Sequence, residues 1–322
     1  MGSVEPSLSI VIEWENARLA EAERPMAMLG ELARQLDGLA ARAPRPVEIV
    51  VLHNPAAVDA ATIEAMIDHA RPRHQWAADF RLLASADRTY YEQKNFGVAS
   101  TGGDIVLLLD SDVVPEPGWL EKLLAAFDDP AVNVVCGSTY IELASLYDRA
   151  VALFWLFPLR PEGERMEEAK SFYANNVAFR RAVIAANPFP SLPTFRGQCR
   201  MLSQRLREQG VRILRHTGAR VSHPPPNGLR HFVNRALCEG HDEAVRDRER
   251  GRSLVGRGLR DFWRRMRYAT GRVVTDHRAV GLSPLGAAGA WTLALGYYAL
   301  KLTGRVLTAL DPGIVRRHFP IS

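Results

Sequence analysis

Gly103-Asp104-Ile105-Val106-Leu107-Leu108-Leu109-Asp110-Ser111-Asp112 is the stretch that decides the fold. Five consecutive aliphatic residues, Ile105 to Leu109, leave no polar face, so the segment reads as a strand buried on both sides, as in a central parallel strand. Two carboxylates then stand two residues apart immediately past that strand. Open α/β sheets place ligands at the carboxyl ends of their strands. Asp110 and Asp112 can therefore share one hard divalent cation, Mg²⁺ or Mn²⁺, which takes oxygen ligands and keeps positions open for a substrate diphosphate. An Asx turn before Pro115 is the other reading of the same residues.

Outward from this stretch, short apolar runs alternate with helical patterns, the signature of β-α-β units. Strands are expected at Leu8 to Ile12, Val47 to Leu52 and Phe80 to Ala84, and helices at Leu19 to Leu39, Ala57 to Ala70 and Tyr90 to Ser100. Beyond Asp112, a helix is expected over Leu120 to Phe127 and a strand over Val132 to Cys136. Val211 to Val221 reads as one or two strands closing at Ser222-His223. Pro224-Pro225-Pro226 and Gly228 mark a boundary. Domains are accordingly expected at 1–227, at 228–280 as a basic helical region with one helix over Leu229 to Arg272, and at 281–322 as an apolar helical segment.

Composition narrows the class. In 322 residues, 47% are hydrophobic and 24% charged, ordinary globular values that exclude overall disorder and fibrous repeats. Cys136, Cys199 and Cys238 form no C-x-x-C pair, which speaks for a reducing compartment without disulfides or a local cysteine zinc site. Met1 to Ser9 has neither the basic nor the apolar region of a secretory signal, and Pro6 stands where a myristoylation motif at Gly2 needs Ser or Thr.

The net charge of +5 is concentrated: ten arginines lie between Arg246 and Arg272, against Asp247, Glu249 and Asp261. Pro284 to Leu300 carries no charge but is shorter than the roughly 20 residues that span a bilayer. Continuing to Leu310 adds only Lys301 and Arg305, and Trp291, Tyr297 and Tyr298 suit an interface. The expectation is an anionic membrane surface as partner, on its cytoplasmic side, with a buried core helix as the other reading of 284–310. Nucleic acid is not expected, since no recognised module accompanies the charge.

Five elements in order resemble the family 2 glycosyltransferases across roughly Leu8 to His223. They are Ser9-Ile10-Val11-Ile12 with Asn16, Glu48 to Leu52, Lys94-Asn95-Phe96-Gly97 leading to Gly103 through Asp112, Asn175 to Arg181, and Ala219 to His223. The resemblance implies a GT-A, Rossmann-like, mostly parallel sheet flanked by helices, followed by a helical, membrane-associated appendage. It implies sugar transfer from a nucleotide-sugar donor to a glycan or lipid-linked acceptor, in surface polysaccharide or glycolipid synthesis. By the same carry-over, Asp110, Asp112 and His223 hold Mn²⁺ or Mg²⁺, and Asn16, Lys94, Asn95 and Asp110 contact the donor.

Departures from the family pattern matter as much. Glu13-Trp14-Glu15-Asn16 replaces Pro-Thr-Tyr-Asn, which leaves Trp14 as the aromatic able to stack on a base. His53-Asn54 stands where an aspartate reads the nucleobase, so His53 takes that place and uridine does not carry over. Gln198-Cys199 replaces the Glu-Asp that deprotonates the acceptor. Catalytic candidates are then Cys199, if Arg196 and Arg200 lower its pKa, and Glu142, with Glu239, His241 and Asp242 behind them. A retaining mechanism, in which the donor phosphate assists, needs no such base. The alternative function is a catalytically silent binding subunit; a nucleotidyltransferase is disfavoured because no Gly-rich phosphate loop follows the first strand.

Overall fold

Every residue from Ile105 to Asp110 is buried, as the unbroken aliphatic run dictates. The computed structural model describes residues 6–18, 20, 23–70 and 78–319. The myristoylation site weighed at Gly2 and the expected helix start at Leu19 lie outside them.

The first elements are β1 (Leu8–Glu13), α1 (Glu23–Arg42), β2 (Val47–His53), α2 (Ala60–Ala70), β3 (Asp79–Ala84), α3 (Tyr90–Ala99) and β4 (Ile105–Asp110). Next come β5 (Val114–Pro115), α4 (Trp119–Leu124), β6 (Val134–Ile141), α5 (Leu146–Ala152), β7 (Met166–Glu168), β8 (Asn176–Arg180), α6 (Arg181–Ala186), α7 (Gln198–Glu208) and β9 (Ile213–His223). The chain closes with α8 (Gly228–Glu249), α9 (Leu254–Asp276), α10 (Pro284–Leu310) and α11 (Ile314–His318).

One sheet runs β3-β2-β1-β4-β8-β6-β9-β5, with β7 paired to β9. β1 is parallel to both β2 and β4, and β2 to β3. Beyond β4 the pairings of β8, β6, β5 and β7 are antiparallel. The expected mostly parallel sheet is therefore corrected to a mixed one. An apolar run encodes burial, and burial is the same for either strand direction.

Side chains alternate across the parallel strands, as the two-residue period requires. Ile10, Ile12, Ile49, Val51, Leu107 and Leu109 pack on Met28, Leu29, Leu32 and Leu36 of α1. Val11, Val50, Leu52, Val106 and Leu108 pack on the opposite face with Tyr91, Val98, Phe172 and Phe179. Gly97 is what lets α3 approach that face, because a Cβ there would collide with Val11. Gly137 does the same between strands: its Cβ would meet the Ala219 carbonyl and the Asn176 amide. That amide is itself spoken for, Oδ1 accepting from Trp119 Nε1 at 2.8 Å and Nδ2 donating to the Ser138 and Ala219 carbonyls.

The chain divides into two compact units. The first holds the described residues through Thr139, with Arg160–Ser191 and Gln198–His223; the second holds Tyr140–Leu159, Leu192–Gly197 and the described residues from Pro224 onward.

In the second unit, α10 packs on α8, α9 and α5. Backbones approach closely at Gly240, next to the Lys301 carbonyl, and at Gly304, next to that of Leu237. One side of α10 is thus core, with Ala287, Ala290 and Ala294 buried. Lys301 and Arg305, counted in the sequence only as interruptions of an apolar run, are buried and paired. Lys301 Nζ lies 3.0 Å from both Glu239 and Glu243, and Arg305 meets Glu243, Asp247 and Asp261. Trp155 Nε1 donates to the Tyr297 hydroxyl at 3.0 Å, and Tyr298 donates to the Phe154 carbonyl at 2.6 Å. The expected single arginine-rich helix is two, broken at 250–253, where Gly251 takes a φ of 63°. No helix among the described residues is long and apolar enough to cross a membrane.

Candidate functional site

β1 and β4 end side by side, with Glu13 the register partner of Asp110. The chain then turns through Ser111, whose N–H donates to the Glu13 carbonyl at 3.0 Å, and reaches Asp112. β5 pairs Val114 with Ser222 of β9, which brings the last residue of β9 to this turn. His223 Nε2 comes to 3.6 Å from Asp112 Oδ2. Arg24 of α1 pins the arrangement, donating to the Asp112 carbonyl at 2.6 Å and the Ser222 hydroxyl at 2.8 Å.

Asp110 is held from three directions. Lys94 Nζ lies 2.6 Å from Oδ1, the Tyr90 hydroxyl 2.9 and 2.8 Å from the two oxygens, and Asn16 Nδ2 donates to Oδ2 at 3.2 Å. Tyr90 and Lys94 sit one turn apart on α3, so one helix face presents both. The Lys94 side chain is 0% exposed, which excludes a solvated helix charge. Beside it, Glu13 accepts the N–H groups of Glu15 and Asn16 and the Asn16 amide, the last at 2.7 Å. Burial pushes the Glu13 carboxyl well above the usual carboxylate range, and the neighbouring Asp110 adds to this while Lys94 opposes it. Two buried carboxylates thus share one cation, with Glu13 favouring its protonated form.

The structure brings Asp112 and His223 together at 3.6 Å, beside Asp110, whose two oxygens accept from Lys94, Tyr90 and Asn16. Among the described residues no group of three or more His, Cys, Asp or Glu forms a metal cage. A carboxylate and an imidazole fit the other kind of site, in which Mg²⁺ or Mn²⁺ binds through one or two protein ligands and completes its shell with substrate phosphates.

Trp14, expected to stack on a base, is 1% exposed and belongs to the core beneath the sheet. Asn16 bridges Glu13 and Asp110. Asn95 makes two hydrogen bonds with the Phe189 backbone, at 2.9 Å each. His53 ends β2, buried, with Nδ1 2.8 Å from the Val58 carbonyl. Cys199 lies in the first turn of α7, its sulfur 3.4 Å from the Tyr91 hydroxyl, and burial pushes its thiol up to about 11. The thiol therefore stays protonated at neutral pH, against the expectation that nearby arginines would lower it.

Glu142 is exposed directly after β6 and belongs to the second unit. So do Glu239, His241 and Asp242, and each has internal work there. Burial alone would raise Glu239, but Lys301, Arg235 and Arg265 overcome it and hold it below the usual range. His241 Nδ1 meets the Thr308 hydroxyl at 3.0 Å. Asp242 accepts the N–H groups of Phe195 and Arg196 at 2.8 and 2.7 Å.

Sequence reasoning missed Glu13, Tyr90 and Arg24. The i, i+4 spacing of Tyr90 and Lys94 was the available signal for one of them. Glu13, standing in place of a proline, was visible only as a departure.

Comparison with known proteins gives consistent findings. Residues 30–187, which include Asp110 and Asp112, match the family described as Glycosyl transferase family 2. A glucosyl-dolichyl phosphate glucuronosyltransferase of Haloferax volcanii is 26% identical over 163 residues, 45% of this chain and 51% of the relative. A pre-mycofactocin glycosyltransferase of Mycobacterium tuberculosis is 52% identical over 42 residues, 13% of this chain and 9% of the relative. The chain thus spans about half the length of the first of these relatives and a small part of the second. Among solved structures, a mannosyltransferase of Pyrobaculum calidifontis, in complex with GDP-Man and Mn²⁺, superposes with a TM-score of 0.56 at 14% identity. The match covers 96% of this chain and 88% of that one, and the likeness is one of fold.

Proposed function

Because this chain belongs to glycosyltransferase family 2, by its domain over residues 30–187, we propose that it transfers a sugar from a nucleotide-diphosphate-sugar donor to a glycan or lipid-linked acceptor. The observation that carries this reading is the approach of His223 to Asp112 at the carboxyl edge of the parallel strands, beside an Asp110 locked by Lys94, Tyr90 and Asn16. Asp112 and His223 would hold Mn²⁺ or Mg²⁺, which when bound supplies charge neutralisation for the leaving diphosphate. Similarity to the glucosyl-dolichyl phosphate glucuronosyltransferase of Haloferax volcanii supports a lipid-linked acceptor and a role in surface polysaccharide or glycolipid synthesis.

In the transfer, the acceptor hydroxyl oxygen bonds to the anomeric carbon and the bond from that carbon to the diphosphate oxygen breaks. The electron pair leaves with the nucleoside diphosphate, and the hydroxyl proton passes to a base. Lys94, Tyr90 and Asn16 fix the Asp110 carboxylate so that it needs no reorganisation when the donor binds. Gln198 accepts no proton and the Cys199 thiol is held protonated, so neither takes the proton that the acceptor releases.

The same replacement at Gln198-Cys199 favours a second reading, a silent subunit that binds donor or glycan without turnover. Calorimetric titration of UDP, GDP, dTDP, CDP and ADP, with and without Mn²⁺, on wild type and Asp112→Ala, tests the donor site. Metal-dependent binding of one nucleotide, lost in the variant, supports transfer, and hydrolysis of the matching sugar donor separates the enzyme from the silent subunit. No binding of any nucleotide sinks the transferase reading and favours the silent subunit.

A further inference from the structure

α9 has two unlike sides. Met266, Ala269 and Val273 are buried in the second unit, and Arg265 reaches Glu243 at 2.7 Å. The other side carries Trp263 at 63%, Tyr268 at 58% and Val274 at 66% exposure, with Leu259 also exposed. Between them stand exposed Arg260, Arg264 and Arg267, and the three- and four-residue steps from 260 through 264, 267, 271 and 274 make this one stripe of the helix. Arg260 and Arg267, with exposed Arg278 just past the helix, make no ion pair among the described residues. The acids of α9 do not balance them: Asp261 is buried and reaches Arg305 as well as Arg264, and Asp276 pairs with Arg272. Trp291 Nε1 donates to the Thr270 hydroxyl at 2.9 Å, which joins the exposed edge of α10, with Trp291 and Leu295, to the same surface.

We propose that this face of α9, with the adjoining edge of α10, docks the second unit on an anionic lipid surface. Charge complementarity selects that occupant. Guanidinium groups without acidic partners would be costly to bury against another protein, whereas a headgroup layer supplies phosphate oxygens that bind them in bidentate fashion. Exposed indole and aliphatic groups on the same stripe enter only the shallow apolar layer beneath. Of the basic stretch and the apolar segment that the sequence offers for such a contact, the basic helix carries most of this face, and one side of the apolar helix is core. Such docking places the unit on the bilayer without any spanning segment, and it stands independently of the transfer reading.

The test is co-sedimentation of the full chain with vesicles of phosphatidylcholine alone and of phosphatidylcholine mixed with phosphatidylglycerol, at low and high salt. Binding to the anionic vesicles, weakened by salt, is expected. The variant Arg260→Glu/Arg264→Glu/Arg267→Glu should bind roughly tenfold or more weakly. Trp263→Ala should lose the emission blue shift seen on binding, with circular dichroism and nucleotide titration unchanged for both variants. Equal binding to both vesicle types, no binding, or full binding by the charge variant overturns the proposal. Light scattering that shows a dimer abolished by Trp263→Ala, or tighter binding to single-stranded RNA than to vesicles, overturns it in favour of those occupants.

Discussion

Lys94→Met nearly preserves side-chain volume while removing the ammonium 2.6 Å from Asp110. Both side chains are almost dry, at 0% and 5% exposure, so water does not replace the lost partner. Breaking a buried pair from one side costs about 3–5 kcal/mol. Asp110 keeps its hydrogen bonds from Tyr90 and Asn16, and bonds of that charged type contribute about 1.5–3 kcal/mol each, which points to the lower end, about 3 kcal/mol. For a protein of this size about 2–4 °C per kcal/mol translates to a Tm lowered by roughly 6–12 °C. Thermal unfolding by circular dichroism reads it, alongside Asp110→Asn and the double variant. The double should be less destabilised than the sum of the singles by about 2 kcal/mol or more, because the charge that each single change strands is then absent. A Tm within about 2 °C of wild type for Lys94→Met, or strict additivity, would refute the reasoning.

Three further outcomes are expected. Trp14→Ala should cost about 3–5 kcal/mol in urea unfolding, as large-to-small changes of a buried aromatic do, yet leave nucleotide affinity unchanged where the variant is folded; a selective loss of affinity would restore the stacking role. Gly137→Ala should fold poorly or shift the sheet, seen as lost near-ultraviolet dichroism, because its Cβ has no space against the Ala219 carbonyl. Burial pushes Asp242 to about 6, above its ordinary 3.8, so the folded state binds this proton more readily and the group's contribution to stability is present below about pH 4 and lost as pH rises through 6. Asp242→Asn should flatten that part of the stability profile, by about 3 kcal/mol between pH 4 and 7 at 1.36 kcal/mol per unit; an unchanged slope would count against it.

The parallel half of the sheet was legible because Ile105 to Leu109 and its neighbours are continuous apolar runs separated by helical periods. The antiparallel half was not, since Asn176 to Arg180 is as buried beside β4 as a parallel strand would be. Asp110 and Asp112 were found from their place after a strand, but the groups that hold Asp110, namely Tyr90, Lys94 and Asn16, lie up to 94 residues away. Trp14 was misplaced because stacking and burial use the same chemistry, and only the register of β1 against β4 decides between them. Lys301 and Arg305 did carry a signal: they are four apart, and so are Glu239, Glu243 and Asp247, which are the acids they meet.

The second unit is drawn from three separated stretches of chain, and this has a consequence for biosynthesis. Trp155 leaves the ribosome 142 residues before Tyr297, the residue whose hydroxyl oxygen accepts the hydrogen bond from its indole N–H. At about 5–20 residues per second, that gap lasts roughly 7–28 s. Throughout it, Phe154, Trp155 and Phe157 form an aromatic cluster whose eventual cover has not been made, while every strand needed for the Asp110 turn is already out by His223. The nascent chain thus holds a sticky surface while the residues between Trp155 and Tyr297 are made. Chaperone dependence should concentrate in that window, and a fragment that stops at His223 would carry the exposed cluster permanently.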